Sequence, residues 1–117
     1  MPAPGPLVIA TQSVQRLVKE DGYYRKELAQ QSERVEKLEA ELKESTDGNA
    51  SFVLKQEQKA LEETKAVFAP LRKRIVEAVQ RLEEQIAAAE SEGAPPDEIK
   101  AAKDSLELGK GVEAPAT

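Results

Sequence analysis

The chain has 117 residues, 33 % of them charged and only 3 % aromatic, with a formal net charge of −5. It contains no Cys and no His, so disulfides, thiolate catalysis and Cys-based zinc sites are excluded. Acid–base work near neutrality would fall to carboxylates or lysines shifted by burial, which a thin, solvated chain offers poorly, and an acidic balance disfavours nucleic acid as a partner.

Residues 1–10, MPAPGPLVIA, carry Pro2, Pro4, Gly5 and Pro6 and read as a flexible lead. They have no basic n-region, and their apolar run is only Leu7 to Ala10, so no signal peptide is expected. No apolar stretch approaches the ~20 residues that cross a bilayer. The expectation is a soluble cytoplasmic protein without a membrane partner.

Thr11 or Ser13 suits the cap of a first helix, expected over about 11–45. A heptad pattern begins at Val14. Its seam reads Val14, Leu17, Asp21, Tyr24, Leu28, Gln31, Val35, Leu38 and Leu42, with seven of nine positions apolar or aromatic. Asp21 and Gln31 are the polar exceptions. They read as register control, or as a seam left incomplete that closes within one chain or across a homodimer. Gly22 costs about 1 kcal/mol against Ala in a helix interior. Tyr24 belongs to the seam, whereas Tyr23 lies about 100° away and is more exposed. Glu33 with Lys37 and Glu39 with Lys43 have the favourable i,i+4 order.

The segment STDGNAS, 45–51, stops this helix. Gly48 suits the left-handed C-terminal position, and Asn49 or Ser51 the next cap. A loop this short predicts antiparallel neighbours. In the second helix, expected over about 51–91, Leu54, Leu61, Phe68, Ile75, Leu82 and Ala89 lie seven apart. Thr64, Leu71 and Ala78 fill intervening positions. Val79 and Ile86 widen the stripe late in the helix, where a third helix packs. Pro70 predicts a kink rather than a break, because no turn residues surround it.

SEGAPPDEIK ends the second helix at about Gly93. Pro96 suits the first position of a third helix, with Asp97 and Glu98 in its dipole-favoured first turn. That helix, over about 96–108, carries Ile99, Ala102 and Leu106 and stops at Gly109. Residues 109–117 read as a mobile tail. The prediction is an all-α fold in one domain, 11–108: an elongated, antiparallel, left-handed three-helix bundle resembling a coiled coil, with long helices of ~50 and ~60 Å and a short third.

None of the short motifs carries chemistry. LGKG at 108–111 lacks the spacing of a phosphate loop, and NAS at 49–51 reads as a cap. RKR at 72–74 reads as a solvated helix face, with a docking patch for an acidic partner as the alternative. Glu62–Glu63 and Glu83–Glu84 are adjacent, point to different helix sides and make no catalytic dyad. No catalytic residue, cofactor site or metal site is expected. Residues 13–45 carry 7 basic and 8 acidic side chains, and 52–91 carry 7 of each. The acidic surplus therefore lies in the linkers and the third segment.

RLVKE at 16–20, Tyr24, QQ at 30–31 and VEKL at 35–38 together resemble the tubulin-specific chaperone A family, also called tubulin folding cofactor A. The resemblance continues through LKQEQKALEET at 54–64, Pro70, and RIVEAVQRLEEQI at 74–86. It spans roughly residues 13–90. Gly22 replaces a better helix former, the lead and the EAPAT tail fall outside the resemblance, and the third segment matches loosely.

The resemblance implies a cytoplasmic three-helix bundle, associated with the cytoskeleton. It would bind β-tubulin as a folding intermediate, without nucleotide, and pass it to α/β heterodimer assembly. It also implies that helix faces make the contact. The candidates are Arg16, Lys19, Glu20, Tyr23 and Glu27 on the first helix and Lys55, Gln56, Lys59 and Glu63 on the second. Val14, Leu17, Leu28, Val35, Leu38, Leu61, Phe68, Leu71, Ile75 and Leu82 are the expected core. The alternative is a helical-hairpin dimerisation or scaffold module with no folding client.

Overall fold

The computed structural model describes residues 3–44 and 48–113. Three α-helices account for nearly all of them: α1 Pro6–Glu44, α2 Gly48–Glu92 and α3 Pro96–Glu113. No strand occurs among the described residues. The all-α, three-helix expectation therefore holds.

The helix ends differ from those expected. α1 starts at Pro6, not near Thr11, so Leu7 to Ala10 is helix rather than lead. Pro6 takes the first helical position, where its missing N–H costs nothing, and the Ile9 N–H donates to the Gly5 carbonyl at 3.0 Å. Thr11 caps nothing. Its hydroxyl is buried and donates back to the Leu7 carbonyl at 2.7 Å. α2 starts at Gly48, which puts Asn49 and Ser51 inside its first turn. Gly48 is not left-handed, because Gly93 is the one described glycine with positive φ. The remainder of the expected turn, 45–47, lies outside the described residues.

The end of α2 is as read. Gly93 has φ 72°. Its N–H donates to Glu90 at 3.4 Å, and the Ala94 N–H reaches Ala89 at 3.0 Å, a Schellman closure. α3 then starts at Pro96, with Asp97 and Glu98 in its first turn. It continues through Gly109 to Glu113, so Gly109 is not a stop. The expected tail from 114 lies outside the described residues. α2 stays helical through Pro70, whose missing N–H leaves the Ala66 carbonyl without its usual donor.

Contacts divide the chain into two compact units. One joins the residues up to Asp21 with those from Pro70 onward, and the other is Gly22–Ala69. The first holds three helices. Its core is Leu7, Ala10, Val14 and Leu17 of α1, packed with Leu71, Ile75, Val79, Leu82 and Ile86 of α2 and Ala102 of α3. The stripe on α2 widens at Val79 and Ile86, where α3 also packs. α3 buries Ala102, Ser105 and Gly109, while Ile99 and Leu106 sit half-buried at its flanks. A Cβ on Gly109 would lie 2.7 Å from Val79 Cγ2 and 3.0 Å from Val14 Cγ1. At Gly109, therefore, α3 comes close to both α1 and α2. Gln15 Nε2 donates to the Ser105 hydroxyl at 3.0 Å, tying α1 to α3.

The second unit holds only two helices. Among its described residues Val35, Leu54 and Thr64 are buried. Leu28, Leu38, Leu61 and Phe68, expected in the core, are only half-buried. Two cylinders in contact cover one narrow seam, and a third is needed to close its flanks. Arg34 pairs with Glu57 at 3.4 Å across the hairpin, and Lys37 pairs with Glu33 at 3.5 Å along α1.

Gly22 opens this unit, with no heavy atom within 4 Å of where its Cβ would stand. Gly22→Ala should therefore stabilise the protein by about 0.5–1 kcal/mol, through helix propensity alone. Urea unfolding checks this, and a destabilised variant would mean that Gly22 serves a backbone contact.

Candidate partner-binding surface

The sequence-predicted residues fall on helix faces of both units. In the hairpin unit, Tyr23 is 64 % exposed, and its ring meets that of half-buried Tyr24 edge-on at 5.4 Å and 77°. That packing holds the Tyr23 ring on the surface without burying it. Tyr23 and Glu27 line a shallow groove of about 270 Å³ together with Lys26 and Gln30. At 100° per residue they stand roughly 80–120° from the seam residue Val35, beside the seam.

Lys55, Gln56, Lys59 and Glu63 are all exposed. They stand roughly 120–160° from Leu61, on the back of α2. The structure therefore groups the hairpin candidates into two patches rather than one. Glu27 is half-buried, against the exposure expected of it, because it borders the seam.

The remaining candidates belong to the three-helix unit. Arg16 and Lys19 are exposed. Glu20 is half-buried, and its carboxylate lies 3.8 Å from the Arg74 guanidinium. That pairing draws one arginine of RKR into the fold, rather than leaving it wholly solvated. Lys19 borders a recess of about 390 Å³ with Gln15, Val18, Ser105 and Leu108.

Leu108 is 59 % exposed, as is Phe52 of the hairpin, and Ile9 is 52 % exposed. These exposed apolar side chains were missed. The glycine after Leu108 signals a helix end in the sequence, and the prolines before Ile9 signal a lead, so neither side chain carries a surface signal of its own. The second miss is the half-buried seam of the hairpin. Its signal is in the sequence, since the apolar stripe of α2 is narrow before Val79 and broad from Val79 to Ile86.

Among the described residues no group of acidic side chains could hold a metal ion. Nor is any helix among them long and apolar enough to cross a membrane. These features define a charged three-helix protein whose candidate residues all sit on exposed or half-exposed helix faces. The chain belongs to the tubulin binding cofactor A family, whose model, Tubulin binding cofactor A, matches residues 2–106. No curated protein and no solved structure matches it. Membership makes it a tubulin-binding cofactor.

Proposed function

We propose that this protein is a cytoplasmic, cytoskeleton-associated chaperone. It captures β-tubulin as a folding intermediate, without nucleotide, and passes it to α/β heterodimer assembly. The observation that carries this reading is the family match over residues 2–106, which takes in both long helices and most of α3. The mechanism is stoichiometric capture. Charged side chains keep the helix faces solvated, and the half-buried Leu28, Leu38, Leu61 and Phe68 provide apolar area to cover client surface that would otherwise aggregate. Release occurs by exchange to the next partner.

Charge reversal at Arg16, Lys19, Glu20, Glu27, Lys55, Lys59 and Glu63, with Tyr23→Ala and Gln56→Ala, tests the contact surface. The expected result is weaker capture of β-tubulin, with the largest single loss at Tyr23, about 1–2 kcal/mol for an aromatic anchor. Circular dichroism must show unchanged helicity. Undiminished capture across the set would remove these residues from the interface.

One observation favours the alternative of a dimerisation or scaffold module. Gln31 Oε1 is buried in the hairpin and has no hydrogen-bond donor among the described residues. A second copy would supply an amide N–H, as polar seam residues do in coiled coils. Sedimentation at two concentrations, beside capture from cytosol, separates the readings. A concentration-dependent dimer that captures no tubulin would establish the alternative.

A further inference from the structure

A separate groove of about 420 Å³ lies between α2 and α3 in the three-helix unit. Glu83, Ile86, Ala87 and Glu90 line it from α2 at i, i+3, i+4 and i+7, so one helix face forms the wall. Its floor is apolar. Ile86 is buried, and Ala87 and half-buried Leu106 lie beside it.

Its rim is acidic, with Asp104 and Glu107 of α3 facing the two α2 glutamates. Two of these four carboxylates are already compensated. Lys103 pairs with Glu90 at 3.5 Å, and Lys100 with Asp104 at 2.9 Å. Glu83 and Glu107 are exposed and make no ion pair among the described residues. The groove thus offers an apolar strip between two uncompensated negative charges.

We propose that this groove docks a basic amphipathic helix of a partner protein. Apolar side chains of that helix rest on Ile86, Ala87 and Leu106, and its Lys or Arg residues meet Glu83 and Glu107. Charge complementarity selects this occupant. A second copy in a two-fold contact would present the same acidic groove, which brings the wrong sign. This surface shares no residue with the β-tubulin candidates, so either reading can fail alone.

The test uses the full chain and a synthetic amphipathic helical peptide with Leu on one face and Lys on its flanks. Affinity is measured by calorimetry and location by amide NMR. The peptide should shift the Ala87, Leu106 and Glu107 amides, and added salt should weaken binding. E83Q with E107Q should weaken it about three- to tenfold, the scale of two exposed ion pairs. E39Q with E41Q removes the same charge elsewhere and should leave affinity unchanged. Several results would overturn the proposal. They are shifts confined to other helices, equal losses in the two double variants, or equal binding of a peptide with Glu in place of Lys. Self-association abolished by E83Q with E107Q would assign the groove to a second copy instead.

Discussion

Leu82→Ala should destabilise the protein by about 2–5 kcal/mol, and Leu71→Ala by a similar amount, the range for buried leucines in cores that relax only partly. Both side chains are fully enclosed, at 0 % exposure. Both belong to the three-helix unit, so the lost methyl groups leave a cavity rather than a wetted surface. The matched control is Leu61→Ala, at an equivalent heptad position in the two-helix unit. Leu61 is only half-buried, so less area returns to water and solvent fills the space. Its cost should be about 1 kcal/mol, near the lower end of burial terms. Urea unfolding of the three variants checks the contrast. Equal losses at Leu61 and Leu82 would show that the hairpin seam is covered in solution.

The second large effect concerns Gly109. Ala normally exceeds Gly in a helix by about 1 kcal/mol, so Gly109→Ala would stabilise an open helix. Here the added Cβ meets Val79 Cγ2 at 2.7 Å and Val14 Cγ1 at 3.0 Å. Neither valine can step aside. Both are essentially fully buried, and β-branched side chains are stiff at χ1. Overpacking costs about 1–3 kcal/mol, enough to cancel the propensity gain and reverse the sign. Gly109→Leu should cost more and loosen α3 from the unit. Val79→Ala in the Gly109→Ala background should recover part of the loss, and a double-mutant cycle reads that coupling directly. Gly22→Ala is the opposite case within the same chain, since its Cβ would meet nothing within 4 Å. If Gly109→Ala stabilised the protein as Gly22→Ala should, the three-helix contact would be disproved.

Much of this fold was legible because charge and leucine repeat with a helical period. The seam from Val14 onward, the widening of the α2 stripe at Val79 and Ile86, and the turn at Gly93 before Pro96 were all readable. Leu7 and Ala10 continue the same a and d register backwards, but the neighbouring prolines suggested a lead. Pro6 is compatible with helix only because it stands first. α3 was underestimated for another reason. Ala102, Ser105 and Gly109 form its buried face, and small side chains carry almost no hydropathy signal.

The candidate surface was less legible than the fold. Exposure of a charged residue follows from the seam, but grouping depends on which side of the seam it takes. That placed Tyr23 and Glu27 beside the hairpin seam and Lys55, Gln56, Lys59 and Glu63 behind it. The Glu20–Arg74 pair joins residues 54 positions apart, beyond any local pattern.

By itself the sequence determined three helices, the order in which they run and the seam through Val14, Leu17, Leu71, Ile75 and Leu82, because side-chain period and end signals are local properties of the chain. Only the tertiary structure decided how far α3 reaches. It belongs with the residues up to Asp21 and from Pro70 onward, while Gly22–Ala69 forms a unit of two helices. The physical reason is close packing. A small-residue face makes a third helix fit where it can approach within van der Waals contact, and that fit at Gly109 depends on two valines distant in sequence.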